Sequence, residues 1–224
     1  MAHYEIEIKS LLGEKEAAEA LKAKMCALDP KTVCISTNKQ LNHYFEGGDV
    51  HKLFEKTKHL FGAVEQAKFQ TIVTKGSDFS IRTRQRDDET LLVLKAAIDG
   101  GTSANSVSRL EFEESVALTL DELDTLLLEA GFSYQAKWSR EREEYTYKGA
   151  TVCIDKNAGY GHLAEFEKVV PHGEAVEGVR AELESLMAEL GVNELPQDRL
   201  ARMFAHYNAN WAEYYGTDKT FTIE

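Results

Sequence analysis

Charged residues recur at alternate positions near the start of this chain, and their types are those that bind metal ions and phosphate groups. The stretch HYEIEIK carries Glu5, Glu7 and Lys9 at every second position, separated by apolar residues. This alternation is typical of a strand with one apolar and one polar face. Two carboxylates on one strand face repel each other unless a cation lies between them, and Mg²⁺ and Mn²⁺ prefer carboxylate oxygens. The stretch therefore predicts either a solvated strand face or part of a metal site.

The same spacing of charges recurs in four other strand-like stretches. They are IRTRQR with Arg82, Arg84 and Arg86, RLEFE with Arg109, Glu111 and Glu113, REREE with Arg140 and Arg142, and AEFE with Glu165 and Glu167. Guanidinium groups match phosphate oxygens with two parallel hydrogen bonds. For any single strand a solvated face is the simpler interpretation, but the joint pattern favours a shared charged surface.

A closed sheet would turn these charged faces inward and leave the apolar faces for helices to cover. The predicted lumen then holds acids at Glu5, Glu7, Glu111, Glu113, Asp155, Glu165 and Glu167, and bases at Lys9, Arg82, Arg84, Lys95, Arg109, Arg140 and Arg142. Buried charges without partners cost too much free energy to persist. We therefore expect the lumen to hold water, metal and an anion.

The elements that position these residues follow from periodicity and turn signals. Strands are predicted over about 3–9, 33–45, 79–86, 90–97, 106–115, 132–147, 151–155 and 162–170, and helices over about 14–28, 51–68, 119–131, 174–190 and 197–209. Thr119 and Glu122 form a capping-box pattern, and Gly131 can close that helix. The predicted fold class is α+β, an eight-stranded antiparallel β-barrel or tunnel with a charged lumen and helices packed outside.

Length and composition indicate a globular chain. The 224 residues are predicted to form a single domain over 1–224, with a strand core over about 3–170 and a helical tail over about 174–224. Segment 46–68 is a candidate lid or substrate-selecting insertion, although a plain packing helix is the simpler interpretation. The tail after residue 209 is aromatic-rich and has no clear assignment.

Charge and cysteine usage exclude several classes of function. A net charge of −12 makes the chain a poor general binder of nucleic acid. No apolar run of 18 residues and no signal-peptide pattern occur, so we expect no membrane association and a cytoplasmic location. The three cysteines show no disulfide or zinc spacing. The oligomeric state stays open, a homodimer included.

The motifs and their order resemble those of the CYTH superfamily, the triphosphate tunnel metalloenzymes. ExExK at residues 5–9 resembles the family hallmark, and it is followed by likenesses to RxR…LxLK at 82–95, RxExE at 109–113, the basic strand at 140–145 and the ending with Asp155, Glu165 and Glu167. The resemblance spans about residues 3–170. Segment 46–68 is longer than the family pattern, Leu163 replaces an aromatic residue, and the C-terminal helix matches only loosely.

The resemblance implies a triphosphate-binding tunnel with Mg²⁺ or Mn²⁺. At the positions that match the family motifs, the resemblance implies that the seven bases named above hold the triphosphate and that the seven acids hold the metal. Lys9, Glu7 and Glu113 are the implied catalytic residues, with a carboxylate acting as general base for water that attacks the terminal phosphorus in line. The implied substrates are inorganic triphosphate or a small organic triphosphate such as thiamine triphosphate.

Three functions remain open from the sequence. The leading one is a metal-dependent triphosphatase. A class IV adenylyl cyclase, which forms cyclic AMP from ATP, would use the same charged residues, but it needs an adenine pocket that the sequence does not signal. A polyphosphate-binding module without activity would keep the bases and lose acids, yet every acidic pair is present.

Overall fold

The computed structural model describes residues 3–97, 109–171 and 176–223, with side chains over 6–97, 110–170 and 177–223. The strands are β1 (His3–Gly13), β2 (Val33–Gly47), β3 (Ser77–Arg86), β4 (Glu89–Ala97), β5 (Arg109–Val116), β6 (Phe132–Tyr147), β7 (Ala150–Asn157) and β8 (Gly161–Pro171). The helices are α1 (Lys15–Leu28), α2 (Val50–Thr57), α3 (Ala63–Lys75), α4 (Leu120–Glu129), α5 (Val176–Leu190) and α6 (Gln197–Tyr214).

All eight strands belong to one sheet in the order β1-β8-β7-β6-β2-β3-β4-β5. The resolved ladders are antiparallel, as expected for strands that mostly follow one another in sequence. The predicted α+β class with eight antiparallel strands and packed helices is therefore confirmed. Strands β1 and β5 are the two ends of this order in the described part of the chain.

The chain divides into two compact units. The first unit contains Met1–Lys39 and Ser139–Glu224, and the second unit contains Gln40–Trp138. Strands β2 and β6 each contribute residues to both units. Each unit has its own apolar core.

The core of the first unit lies on one face of β1, β6, β7 and β8. Ile6 and Ile8 of β1 are buried there with Met25 of α1 and Leu183 of α5. On α1 the buried residues follow helical spacing, at positions 18, 21 and 25. The alternation in β1 therefore has the predicted cause, because its apolar residues face a helical layer.

The core of the second unit is built in the same way. Ile81, Leu94 and Phe112 of the strands β3, β4 and β5 pack with Phe69 of α3 and Leu127 of α4. Helix α4 begins at the predicted capping box, in which the Glu122 backbone N–H donates to Thr119 Oγ1 at 3.3 Å and the Thr119 N–H donates to the Glu122 carboxylate at 2.8 Å.

The prediction of one helix over 51–68 is wrong. Helix α2 ends at Thr57, a 3₁₀ turn covers Lys58–Leu60, and α3 begins at Ala63. Phe61 has extended backbone angles, and its ring packs edge-on against Phe112 with ring centroids 5.1 Å apart. Burial of this ring against the sheet therefore coincides with the break in the helical pattern.

The C-terminal region is more ordered in secondary structure than the sequence indicates. Helix α6 continues to Tyr214, and the following segment returns to the turn between β7 and β8, where Gly159 N donates to the Lys219 carbonyl at 2.8 Å and Phe221 N donates to the Gly159 carbonyl at 2.8 Å. Within the described ranges, no helix has the length and apolar character needed to cross a membrane.

Candidate active site

The first charged face lies on the side of the first unit's sheet that is opposite its apolar core. We define it as the described side chains of Glu7, Lys9, Arg140, Arg142, Asp155, Glu165 and Glu167. Cross-strand register brings them together, because Glu7 is opposite Glu167, Lys9 is opposite Glu165, and Arg142 is opposite Asp155.

Asp155 is the most buried acid of the first charged face. Its side chain is 1% exposed, and both of its oxygens accept hydrogen bonds from arginines. Arg142 donates to it through Nε and Nη2 at 2.7 Å each, and Arg140 donates through Nη1 at 2.9 Å. The bidentate contact fixes the guanidinium plane of Arg142.

Glu165 connects β1 to β6 through charge. It lies 3.3 Å from Lys9 Nζ and accepts a hydrogen bond from Arg142 Nη2, while Lys9 also contacts Glu7. Burial of Glu165 favours its neutral form, but the positive charges of Lys9, Arg142 and Arg140 outweigh burial and hold its pKa below the usual range. For Lys9, burial is likewise outweighed by Glu165 and Glu7, which raise its pKa.

The lowered pKa of Glu165 predicts acid-dependent stability. A group whose pKa falls on folding stabilises the fold above its unfolded pKa, about 4.3, and this contribution is lost as the pH falls through the folded value. We therefore expect the free energy of unfolding of the wild type to decrease below about pH 4, and part of that decrease to be missing in Glu165→Gln. Urea titrations between pH 7 and pH 3 check this, and parallel pH profiles for the two proteins would contradict it.

The second charged face lies on the side of the second unit's sheet that is opposite its own core. We define it as the described side chains of Arg82, Arg84, Arg86, Lys95, Glu111 and Glu113. Lys95 is opposite Glu111 in the β4–β5 ladder, and Lys95 Nζ lies 2.6 Å from the Glu111 carboxylate. Glu113 is shared by two arginines, at 2.9 Å from Arg84 Nη1 and 3.3 Å from Arg86 Nη1.

Arg82 differs from the other arginines of the second charged face. Within the described part of the chain it has no carboxylate within 4.0 Å, and its buried Nε has no hydrogen-bond acceptor. Its Nη1 donates to the Tyr44 hydroxyl at 2.5 Å, and its guanidinium carbon lies 5.3 Å from the centre of the Tyr44 ring. Burial lowers the pKa of Arg82, but Tyr44 and the carboxylates of Glu113 and Glu111 outweigh it and raise the pKa. The guanidinium is therefore charged, and its buried Nε–H is a donor without an acceptor among the described residues.

Sequence reasoning missed the contribution of β2. Asn42 is opposite Arg84 and Tyr44 is opposite Arg82 in the β2–β3 ladder, and Asn42 Oδ1 accepts from Arg84 Nε at 2.8 Å. The placement of Gln40, Asn42 and Tyr44 at every second position carries this signal. It is weak because none of the three side chains is charged.

A thiol and a further glutamate, Cys153 and Glu144, also belong to the first unit's polar side. Cys153 is opposite both Glu165 on β8 and Glu144 on β6, so the row Lys9, Glu165, Cys153, Glu144 crosses four strands. Burial raises the pKa of the Cys153 thiol, which is therefore neutral. Neither Cys153 nor Glu144 is a predicted site residue.

The structure describes only the backbone of two predicted site residues, Glu5 and Arg109. Glu5 is opposite Val169 and Arg109 is opposite Ala97, but the side chains of Glu5 and Arg109 lie outside the described residues. All other predicted site residues belong to one of the two charged faces. The first face gathers seven of them and the second gathers Arg82, Arg84, Lys95, Glu111 and Glu113.

The residues fit a divalent metal in donor chemistry. Magnesium and manganese prefer carboxylate oxygens, which both faces offer. Within the part of the chain that the structure describes, no group of three acidic, histidine or cysteine side chains is arranged to hold a metal ion. Instead Glu7, Glu111, Glu113, Asp155 and Glu165 are paired with Lys or Arg. A cation would therefore bind by replacing basic partners of the more exposed acids, such as Glu7 and Glu111 at 43% and 40% side-chain exposure.

Comparison with known proteins places these faces in context. The family model described as CYTH domain matches residues 69–199, more than half of the chain, and the match begins after the ExExK stretch. A search of curated proteins found no match.

Several solved structures are similar in fold. PH1819 of Pyrococcus horikoshii superposes with a TM-score of 0.61 at 20% identity, covering 91% of this chain and 99% of that one. A candidate adenylate cyclase of Vibrio parahaemolyticus has a TM-score of 0.59 at 14% identity, covering 92% and 99%. HpAC1 of Hippeastrum, a candidate adenylyl cyclase with a dominant triphosphatase activity, has a TM-score of 0.51 at 18% identity, covering 90% and 96%. At these identities the likeness establishes the fold.

Proposed function

The chain belongs to the CYTH domain family, as its motifs predicted, and from this premise we propose that it is a divalent-metal-dependent triphosphatase. The proposed substrate is inorganic triphosphate or a small organic triphosphate such as thiamine triphosphate. The observation that carries the proposal is Arg82, whose guanidinium has no acidic partner among the described residues and whose buried Nε has no acceptor. A guanidinium group without an acidic partner can donate hydrogen bonds to the phosphate oxygens of a bound polyanion.

The remaining bases would hold the substrate by exchanging their present partners. Arg84 and Lys95 are each paired with a glutamate of β5, and a phosphate oxygen can replace a carboxylate oxygen in the same geometry. On the first charged face Lys9, Arg140 and Arg142 would act in the same way. Arg109 completes the proposed set of bases by its place in the motif.

The acids of each charged face would supply ligands for a divalent metal. Glu7, Glu111, Glu113, Asp155, Glu165 and Glu167, with Glu5 by its place in the motif, supply oxygen ligands that suit Mg²⁺ or Mn²⁺. When bound, the cation supplies positive charge against the phosphate oxygens and activates water. Asp155 is the least accessible of these ligands, because both of its oxygens are occupied by arginines.

The proposed reaction needs little covalent chemistry from the protein. The oxygen of a water molecule attacks the terminal phosphorus, the bond from that phosphorus to the bridging oxygen breaks, and the shortened phosphate chain leaves with the bonding electrons. Glu7 or Glu113 accepts the proton of the water. Lys9, which contacts Glu7, is placed to orient that carboxylate or to neutralise charge on the leaving oxygen.

A product assay tests the proposal. The purified protein is incubated with Mg²⁺ or Mn²⁺ and with inorganic triphosphate, thiamine triphosphate or ATP, and orthophosphate and cyclic AMP are quantified. We expect orthophosphate as the main product and no turnover after removal of metal with a chelator. Cyclic AMP as the main product from ATP would instead establish the cyclase, and absence of turnover with all three substrates would contradict an enzymatic role.

A further inference from the structure

A buried carboxylate lies behind the second charged face, on the side that the helices cover. Asp124 of α4 is 2% exposed and accepts three hydrogen bonds from side chains of β2, β3 and β6. His43 Nδ1 donates at 2.6 Å, the Thr83 hydroxyl at 2.5 Å and the Tyr134 hydroxyl at 2.6 Å. Burial favours the neutral acid, but these three hydrogen bonds outweigh it and lower the pKa of Asp124, so the group is a carboxylate.

The residues that bind Asp124 alternate with those that form the second charged face. Thr83 lies between Arg82 and Arg84 on β3, and His43 lies between Asn42 and Tyr44 on β2. Thr83 and His43 are also opposite each other in the ladder. Both side chains are buried, with exposures of 0% and 2%. The Asp124 carboxylate therefore connects β2 and β3 at the His43–Thr83 pair. This pair lies between the two pairs that contain Arg82 and Arg84.

On the opposite, charged side of the sheet, Arg82 and Arg84 make hydrogen bonds between the same two strands. Arg84 donates to Asn42 and Arg82 donates to Tyr44, each across the same two strands. Because side chains alternate between the two sides of a strand, a shift of Thr83 or His43 moves its neighbours on the charged side. We propose that Asp124 is a positioning residue, which sets the geometry of the Arg82 and Arg84 guanidinium groups through Thr83 and His43 without contacting the substrate. This proposal rests on the proposed function only for the identity of the ligand that the two guanidinium groups bind.

Positioning and simple electrostatics predict opposite effects on substrate binding. Removing the negative charge of Asp124 would strengthen the attraction of the nearby arginines for an anion if geometry were unchanged. If Asp124 positions those arginines, its loss weakens anion binding instead. The sign of the change in Asp124→Asn therefore separates the two roles.

A spectroscopic readout tests the proposal without turnover. The Nε–H of Arg84 is buried and bonded to Asn42, so its NMR resonance should exchange slowly with solvent; the resonance is assigned from its absence in Arg84→Lys. We expect exchange to accelerate about tenfold in Thr83→Val and in Asp124→Asn, the change that corresponds to about one lost hydrogen bond. Thr83→Ser keeps the hydroxyl and should restore the wild-type rate.

The controls separate positioning from loss of stability. Asp121→Asn removes an exposed carboxylate from the same helix and should leave the exchange rate unchanged. Urea unfolding identifies any variant that is not folded. If Asp124→Asn is not folded, Thr83→Val becomes the deciding variant, because valine is nearly isosteric with threonine. An Arg84 Nε–H exchange rate that is the same in folded Thr83→Val as in the wild type would overturn the proposal.

Turnover of inorganic triphosphate provides the second readout. We expect KM to rise about tenfold in Thr83→Val and Asp124→Asn, with kcat changed less than twofold, and Thr83→Ser to match the wild type. A lower KM in Asp124→Asn would favour the electrostatic role and count against positioning. If the wild type turns over none of inorganic triphosphate, thiamine triphosphate and ATP, the proposed function fails, whereas the exchange rates still decide the positioning role.

Discussion

Replacing Arg82 with methionine is expected to lower kcat/KM for inorganic triphosphate by about 10³-fold, without lowering the free energy of unfolding. The activity should fall because a preorganised guanidinium is lost from the phosphate site. Stability should not fall, because no carboxylate of the described residues lies within ion-pair distance of Arg82, and removal of its buried, unsatisfied Nε–H offsets the loss of the hydrogen bond to Tyr44. Steady-state kinetics and urea unfolding of the same preparation check both expectations.

A matched arginine outside the charged faces provides the control. Arg202 on α6 is about half exposed and paired with Asp198 one helical turn away. We expect Arg202→Met to leave kcat/KM unchanged. A large loss of stability in Arg82→Met, with activity reduced only in proportion, would mean that Arg82 is a structural residue.

Replacing Asp155 with asparagine is expected to lower the free energy of unfolding by about 3 kcal/mol. The side chain keeps its size, but Arg140 and Arg142 lose the charge that compensates their burial on the first charged face. Breaking a buried pair by removing one partner costs more than the pair contributes in net terms, because a charge is left without compensation. Chemical denaturation at neutral pH measures this change.

Glu141 on β6 supplies the comparison for Asp155. It is paired with Lys39 at 3.5 Å, and both side chains are more than half exposed. Glu141→Gln should change the free energy of unfolding by less than about 0.5 kcal/mol, as for other exposed pairs. A loss below about 1 kcal/mol in Asp155→Asn would show that the arginine cluster tolerates a neutral partner.

The contrast between Arg82 and Asp155 describes how charge is distributed in this protein. Asp155 is paired with Arg140 and Arg142, and Arg142 is also paired with Glu165. Among the described residues, Arg82 is the arginine of these faces that has no carboxylate within ion-pair distance. Sites built to bind a ligand commonly keep such unsatisfied groups at a cost in stability.

The strand faces were predictable from the sequence because alternation is a local property. Ile6 and Ile8 on one side and Glu7 and Lys9 on the other follow directly from a period of two residues. The helix boundary at Thr119 was predictable for the same reason, since a capping box lies within four residues. The family order of motifs then allowed the charged residues to be assigned to one kind of site.

The partners of these residues were not predictable, because they depend on register. Which base meets Glu113, or that Asn42 and Tyr44 contact Arg84 and Arg82, follows from the pairing of strands distant in sequence. Asp124 is harder still, since a single acid on an amphipathic helix gives no sign of the strands it will contact. The break at Phe61 coincides with packing of its ring against Phe112, a contact distant in sequence that the local helical pattern does not indicate.

The most direct test of the proposal that Arg82 binds a triphosphate is calorimetric titration of inorganic triphosphate into the wild type and into Arg82→Met. Divalent metal is left out so that turnover does not interfere. We predict that the wild type binds triphosphate with an affinity that decreases as salt is added, and that Arg82→Met binds at least about tenfold more weakly. Equal affinities for the two proteins would contradict the account.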